Sequence, residues 1–135
     1  MTHDEVMALL SPRGPVVSIM YSGPCNSLHG HNAKIEVRLI GEVQPTSGMV
    51  VDFSRLGLLG IHAWLAEIDH AVLLNRNDPM KSELLKTHNR VVLFNEEPTA
   101  ENLAMSLKRA ICAKGIQSSN VTVRFWETED SWAEV

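Results

Sequence analysis

Hydrophobic and polar residues alternate most regularly in two segments, which indicates two β-strands. In residues 33–40, Ile35, Val37 and Leu39 alternate with charged side chains, so one face of a strand would meet a core. The same alternation recurs in residues 121–126. Shorter runs of β-forming residues predict further strands at 16–21, 49–51 and 91–94.

Apolar residues spaced three or four apart predict two helices. The first would begin at a cap formed by Asp52 or Ser54 and end near Ile68. Its expected apolar face consists of Leu58, Ile61, Leu65 and Ile68. The second helix would follow Thr99 as its N-cap and stop at Gly115.

The remaining segments complete the expected fold. Residues 4–10 predict a short helix, and residues 74–79 predict a loop. The resulting order of strands, helix, strand, helix and strand is typical of an α+β protein, with a mainly antiparallel sheet and helices on one face. A chain of 135 residues favours a single domain, residues 1–135.

Composition narrows the class of protein. Apolar residues make up 44% and charged residues 21% of the chain, which excludes a disordered or fibrous protein. A net charge of −4 argues against general binding to nucleic acid or to an anionic membrane. With two cysteines, no secretory signal and no apolar stretch long enough to span a membrane, we expect a protein of the reducing cytoplasm.

The segment 25–31, Cys-Asn-Ser-Leu-His-Gly-His, is the first candidate for chemistry. On an extended chain His29 and His31 point to the same side, where two imidazoles can bind one Zn²⁺ and leave room for a third ligand and substrate. A polar turn before a strand is the alternative. Cys25 beside a cation can be a thiolate, hence a base or nucleophile.

Two further positions are candidates. Asp69 precedes His70 at the end of the first predicted helix, and a carboxylate beside an imidazole suits proton relay. Adjacent helical residues do not face each other, so a helix-end histidine that stabilises the dipole is the alternative. Glu127 ends an apolar strand and can accept two hydrogen bonds from a pterin or guanine edge, although a surface glutamate is the commoner case.

Taken together, the motifs resemble the 6-pyruvoyltetrahydropterin synthase and 6-carboxytetrahydropterin synthase family. The matching stretches occur in the family's order, at residues 25–32, 48–53, 68–70, 74–75, 98–104 and 127–128. The resemblance implies the tunnelling fold, an antiparallel four-stranded sheet with two helices on one face, assembled into a homo-oligomer, a hexamer built as a dimer of trimers. The pairing of open sheet edges between subunits agrees with such an assembly.

The resemblance also implies roles for single residues. Cys25 would be the proton-abstracting base, tuned by Asp69 and His70 from a neighbouring subunit. Glu127 would anchor the pterin ring, and Thr99 and Glu101 would lie near its pocket, although Thr99 can also serve only as the helix cap. Zinc, bound by His29, His31 and a third histidine, would act as a Lewis acid on the substrate hydroxyls.

The third ligand marks the main departure from the family. Members carry a histidine after their first strand, and residues 1–24 lack that pattern, which makes this N-terminal segment atypical. His3 is the one histidine that precedes His29, so it is the candidate third ligand. The alternatives are a shortened chain start or a two-histidine site with weaker metal binding.

The spacing between Cys25 and His29 resembles the bacterial enzymes that convert 7,8-dihydroneopterin triphosphate to 6-carboxy-5,6,7,8-tetrahydropterin, acetaldehyde and triphosphate for queuosine synthesis. The 6-pyruvoyl enzymes more often carry two further residues there. Two other classes stay open: a zinc hydrolase with Glu127 or Glu101 as base, and a non-catalytic pterin-binding or purine-binding member.

Overall fold

The strands and helices come from a computed structural model that describes residues 3–10, 16–17, 29–30, 33–52, 55 and 58–135, with the backbone alone at 3–10, 16–17 and 29. Its strands are β1 His3–Leu10, β2 Val16–Val17, β3 His29–Gly30, β4 Lys34–Glu42, β5 Val72–Asn75, β6 Val91–Phe94, β7 Val121–Trp126 and β8 Trp132–Glu134. Its α-helices are α1 Ile61–Ile68, α2 Lys81–Thr87 and α3 Ala100–Cys112.

The strands form two four-stranded sheets. The antiparallel sheet has the order β1-β4-β7-β8, with His3 opposite Glu42 at one end of the β1–β4 ladder and Lys34 opposite Trp126 at the start of β4. The mixed sheet has the order β3-β2-β5-β6, in which β5 runs parallel to both of its neighbours.

A hydrophobic core lies between the antiparallel sheet and helices α1 and α3. Every second residue is buried throughout β7 and in β4 from Ile35 to Leu39, which is the pattern of strands with one face against a core. Apolar residues of α1, α3 and β5 complete this core, among them Ile61, Ile68, Leu73, Leu103, Leu107 and Ile111. The strong alternation in the sequence therefore corresponds to burial of one face of each strand.

Residues 4–10 form strand β1, so the predicted helix at this position is wrong. The segment contains Glu, Met, Ala and Leu, all good helix formers, but propensity is a weak preference that tertiary contacts override. Here β4 supplies a backbone partner to every residue of β1, from His3 opposite Glu42 to Leu10 opposite Ile35.

The first predicted helix begins later than expected. Helix α1 starts at Ile61 because Gly60 has a φ of 78°, a left-handed conformation that cannot continue a helix. Asp52 therefore does not cap α1, and Ser54 lies outside the described residues. Leu58 is 70% exposed, whereas Trp64 is buried and takes part in the apolar face of α1.

Other differences concern short elements. Residues 49–51 form bends and coil instead of the predicted strand. The predicted loop at 74–79 begins with the last two residues of β5, both buried. Helix α2, strand β8 and the mixed sheet were not predicted, so an antiparallel sheet with two helices on one face is only part of the architecture. Within the described residues, no helix is long and apolar enough to span a membrane.

Candidate active site

Helices α1 and α3 run in opposite directions, which places the end of α1 beside the start of α3. Gly60, ahead of α1, lies next to the carbonyl of Ala110 near the end of α3. Halfway along, the indole Nε1 of Trp64 donates a hydrogen bond of 3.0 Å to Ser106 Oγ. The turn that follows α1, Asp69 and His70, therefore lies at the end of the fold where α3 begins.

The end of β7 and the start of β4 lie at this same end. Helix α3 packs on β7 and is joined to it by residues 113–120, so the helix and the strand run antiparallel. The end of β7 pairs with the start of β4, because Trp126 is opposite Lys34. We call this region, formed by residues 69–70, 99–101 and 127 and the start of β4, the site end.

Asp69 and His70 form a direct pair at the site end. Helix α1 ends at Ile68, and the N–H of Ala71 donates 3.1 Å to the Ile68 carbonyl, which closes a β-turn. Asp69 has φ −64° and ψ 129°, and His70 has a φ of 57°, the angles of a type II turn. Since the two residues are not helical, their side chains face each other, with His70 Nδ1 3.0 Å from Asp69 Oδ1.

This geometry suits a proton relay and removes the objection that adjacent helical residues diverge. The carboxylate of Asp69 favours a proton on Nδ1 of His70, which leaves Nε2 available to a third group. The His70 side chain is 58% exposed, so a neighbouring segment or subunit can reach it.

Thr99 and Glu101 lie in the first turn of α3. The hydroxyl oxygen of Thr99 accepts a hydrogen bond of 3.2 Å from the Asn102 N–H, so Thr99 caps the helix as predicted. Glu101 is exposed in the same turn, where a negative charge is favourable beside the helix N-terminus. Thr99 therefore has a structural role, and Glu101 is free of the core.

Glu127 follows the last residue of β7 and is half-buried. Its N–H donates 2.9 Å to the Ser131 carbonyl, which extends the pairing of β7 toward β8. Next to it, the indole of Trp126 donates 3.2 Å to Glu36 Oε1, and Lys34 Nζ lies 4.2 Å from the ring centre. These contacts fix the end of the strand from which Glu127 projects.

The predicted metal and thiol residues are only partly placed. Cys25 and His31 lie outside the described residues, and at His29 the backbone alone is described, opposite Val17 in the mixed sheet. His3 lies opposite Glu42, at the end of β4 away from the site end, so the register does not bring His3 toward the start of β4. Among described side chains, no group of three His, Cys, Asp or Glu is arranged to hold a metal ion.

Comparison with known proteins agrees with the motifs. The model of the 6-pyruvoyl tetrahydropterin synthase family matches residues 15–135. The chain belongs to this family. It is 30% identical over 123 residues to 6-carboxy-5,6,7,8-tetrahydropterin synthase of Rickettsia bellii, with 87% of this chain and 88% of that protein covered.

Solved structures share the fold of the chain. The 6-pyruvoyl tetrahydropterin synthase of Plasmodium vivax has a TM-score of 0.76 at 18% identity, covering 100% of this chain and 98% of that one. The Caenorhabditis elegans 6-pyruvoyl tetrahydropterin synthase has a TM-score of 0.69 at 24% identity, covering 100% and 96%. At these identities the likeness establishes the fold alone.

Sequence reasoning missed a group of polar residues behind the family motifs. Asn75 is 7% exposed at the end of β5, and its side chain bonds to Glu97, which precedes α3. Asn75 and Asn102 belong to matched motif stretches, so the signal was present without a role attached to it. Glu97 lies outside the motif stretches, and its partner Asn75 is 22 residues away in the sequence, so the sequence did not indicate a role for it.

Proposed function

We propose that this member of the 6-pyruvoyl tetrahydropterin synthase family converts 7,8-dihydroneopterin triphosphate and water to 6-carboxy-5,6,7,8-tetrahydropterin, acetaldehyde and triphosphate, a step toward queuosine. Its family and its relatives, named 6-carboxy-5,6,7,8-tetrahydropterin synthase in Rickettsia bellii and Haemophilus influenzae, make it an enzyme of the tetrahydropterin synthase type. The structural observation that carries the proposal is the Asp69–His70 pair, held 3.0 Å apart in a turn that favours glycine over histidine.

In the proposed reaction, Asp69 orients His70 and His70 activates Cys25. With Nδ1 of His70 bonded to the carboxylate, Nε2 can take the proton of a thiol and return it later. The thiolate of Cys25 then removes a proton from a side-chain carbon of the substrate. A base of this kind must stay reduced, which agrees with a cytoplasmic enzyme.

The residues of the chain fit a zinc ion chemically. His29 and His31 are two positions apart in the sequence, and if the chain is extended there, their imidazoles would project to the same side, as a pair of zinc ligands requires. Zinc held there would act as a Lewis acid on the substrate hydroxyls. The third ligand stays a proposal, because the register places the backbone of His3 opposite Glu42, at the end of β4 away from the site end.

The pterin ring would be held at the site end. We assign the carboxylate of Glu127 to the two N–H groups of the ring edge, because an ionised carboxylate accepts two parallel hydrogen bonds. Thr99 and Glu101, in the first turn of α3, would line the same pocket. The start of α3 and the end of β7 are both fixed by hydrogen bonds, so these groups are preorganised.

Assembly would complete the site. Strands β1 and β8 are the two edges of the antiparallel sheet, and an open edge is a template for pairing with another chain. We propose a homo-oligomer, a hexamer built as a dimer of trimers, in which the exposed His70 of one subunit reaches Cys25 of the next.

The decisive experiment combines metal analysis with product identification. We expect about one zinc per chain in the wild-type protein, and loss of that zinc in His29→Ala. His62→Ala is the matched control, because His62 is exposed on α1 and has no assigned role. Incubation with 7,8-dihydroneopterin triphosphate should then yield acetaldehyde and triphosphate.

Other products would identify the alternatives. A pyruvoyl product with triphosphate would mark a 6-pyruvoyltetrahydropterin synthase, and release of phosphate without change of the pterin side chain would mark a hydrolase. Pterin binding with no turnover and no zinc would mark a non-catalytic member. Turnover that survives Cys25→Ala would show that the assigned base is wrong.

A further inference from the structure

A buried side chain, that of Asn75, links the two functional segments at the site end, which are the Asp69–His70 turn and the first turn of α3. Asn75 closes β5, the strand that follows the Asp69–His70 turn. Its Nδ2 donates 3.1 Å to Glu97 Oε1, and its Oδ1 accepts 2.9 Å from the Asn77 N–H. The amide is 7% exposed and both of its polar atoms are paired, as a buried polar group requires.

Glu97 connects Asn75 to the start of α3, because its backbone carbonyl accepts hydrogen bonds from that segment. Its carbonyl accepts one hydrogen bond of 2.8 Å from the Thr99 N–H and another of 2.9 Å from Asn102 Nδ2. Thr99 in turn accepts from the Asn102 N–H at 3.2 Å. Glu97 therefore holds β5 through its carboxylate and the first turn of α3 through its carbonyl.

We propose that Glu97 is a positioning residue that sets the place of Thr99 and Glu101 relative to the Asp69–His70 turn. The proposal rests on the function given above, in which the first turn of α3 lines the pterin pocket. Without the carboxylate of Glu97, the segment before α3 loses its connection to Asn75. The pocket would then misplace the pterin ring, while the relay turn, which is closed by its own hydrogen bond, keeps its form.

An exposed hydrogen bond between the residues that follow β5 and β6 provides a matched control. Arg76, next to Asn75, donates from Nε to Asn95 Oδ1 at 2.9 Å, and both residues are exposed. Because water competes for an exposed hydrogen bond, Arg76→Ala should leave substrate binding unchanged. Comparing Glu97→Ala with Arg76→Ala therefore distinguishes a specific effect of the buried Asn75–Glu97 hydrogen bond from the effect of losing any hydrogen bond between these segments.

The test is steady-state kinetics on full-length oligomer, together with neopterin binding followed by fluorescence. We expect Glu97→Ala to raise KM and the neopterin Kd by about tenfold to hundredfold, because loss of one or two hydrogen bonds to the pterin ring weakens binding by factors of this order. The kcat should change much less. Glu97→Gln keeps an acceptor oxygen and should restore KM to within about threefold of wild type.

A second variant guards against a folding defect. Asn75→Ala removes the other partner, so it should raise KM as Glu97→Ala does, and the double variant should be no worse than either single one. Unchanged KM in both variants, or an equal rise in Arg76→Ala, would overturn the positioning role. An inactive wild-type protein would instead count against the proposed function, and the neopterin Kd values would still decide the role of Glu97.

Discussion

His70 occupies a turn position that favours glycine. Replacing His70 therefore tests separately its effect on stability and its effect on catalysis. In the turn that follows α1, His70 is the second central residue and has a φ of 57°. A type II turn requires a positive φ at this position, which glycine adopts without steric conflict. His70→Gly should therefore keep the turn while removing the imidazole.

The expected effect on stability is small and follows from three contributions. Left-handed backbone costs an ordinary residue roughly 1–2 kcal/mol, and glycine relieves this strain. The extra freedom of glycine in the unfolded chain costs about 0.5–1 kcal/mol. The His70 side chain is 58% exposed, so loss of its pair with Asp69 costs about 0–1 kcal/mol. His70→Gly should thus lie within about 1 kcal/mol of wild type.

His70→Ala loses the same pair but keeps the strain, so it should be about 1 kcal/mol less stable than His70→Gly, or about 4 °C lower in Tm. The exposed His62 is the second residue of α1, where glycine is less favourable than alanine by up to about 1 kcal/mol, the value for a helix interior. At His62 the order of the glycine and alanine variants should therefore be reversed.

Thermal unfolding of these four variants at one protein concentration, with turnover measured in parallel, is the assay. Both His70 variants should lose about 10²–10⁴-fold in kcat, the usual contribution of acid–base catalysis. If His70→Gly melts below His70→Ala, the turn is not of the described type. If either variant keeps full turnover, His70 is not part of the relay.

Three other substitutions test neighbouring parts of the site end. Thr99→Ala should cost about 1 kcal/mol through loss of the helix cap, whereas Thr99→Ser should not, and equal urea midpoints would contradict the cap. Arg90 donates to carbonyls in the last turn of α1, so Arg90→Ala should lower stability by about 0.3–1 kcal/mol, with Arg90→Lys intermediate in the same denaturation assay. Glu127→Gln should raise KM about 10–100-fold with little change in Tm, and an unchanged KM would remove Glu127 from the pterin pocket.

The elements that could be predicted are those whose signal is local. Strands β4 and β7 alternate apolar and polar residues against one core, and α3 carries both its cap at Thr99 and a regular apolar face. Strand β1 could not be predicted, because its conformation is imposed by β4, with which it pairs along its whole length. Helix α1 was predicted too long because its start depends on the backbone of a single residue, Gly60.

The candidate site shows the same division. Asp69 and His70 could be selected from their chemistry, and the predicted helix end near Ile68 is confirmed, but their contact depends on the turn that follows, in which His70 takes a positive φ. The bond between Asn75 and Glu97 depends on the parallel pairing of β5 with β6, which joins segments distant in sequence. The sequence thus allowed residues of suitable chemistry to be selected, but it did not allow the relative positions of their side chains to be predicted.

Strand register also bears on the proposed zinc site. Lys34 stands at the site end of β4 and His3 stands opposite Glu42, eight residues further along. At about 3.4 Å per residue the two ends of β4 are roughly 27 Å apart, far beyond the reach of an imidazole. The segment that carries His31 leads into β4 near Lys34, so His3 cannot complete this site through the β1–β4 ladder of its own chain. If His29 and His31 bind zinc, as we propose, a third ligand would have to come from another residue or from another subunit, and in the second case assembly would affect both metal affinity and turnover.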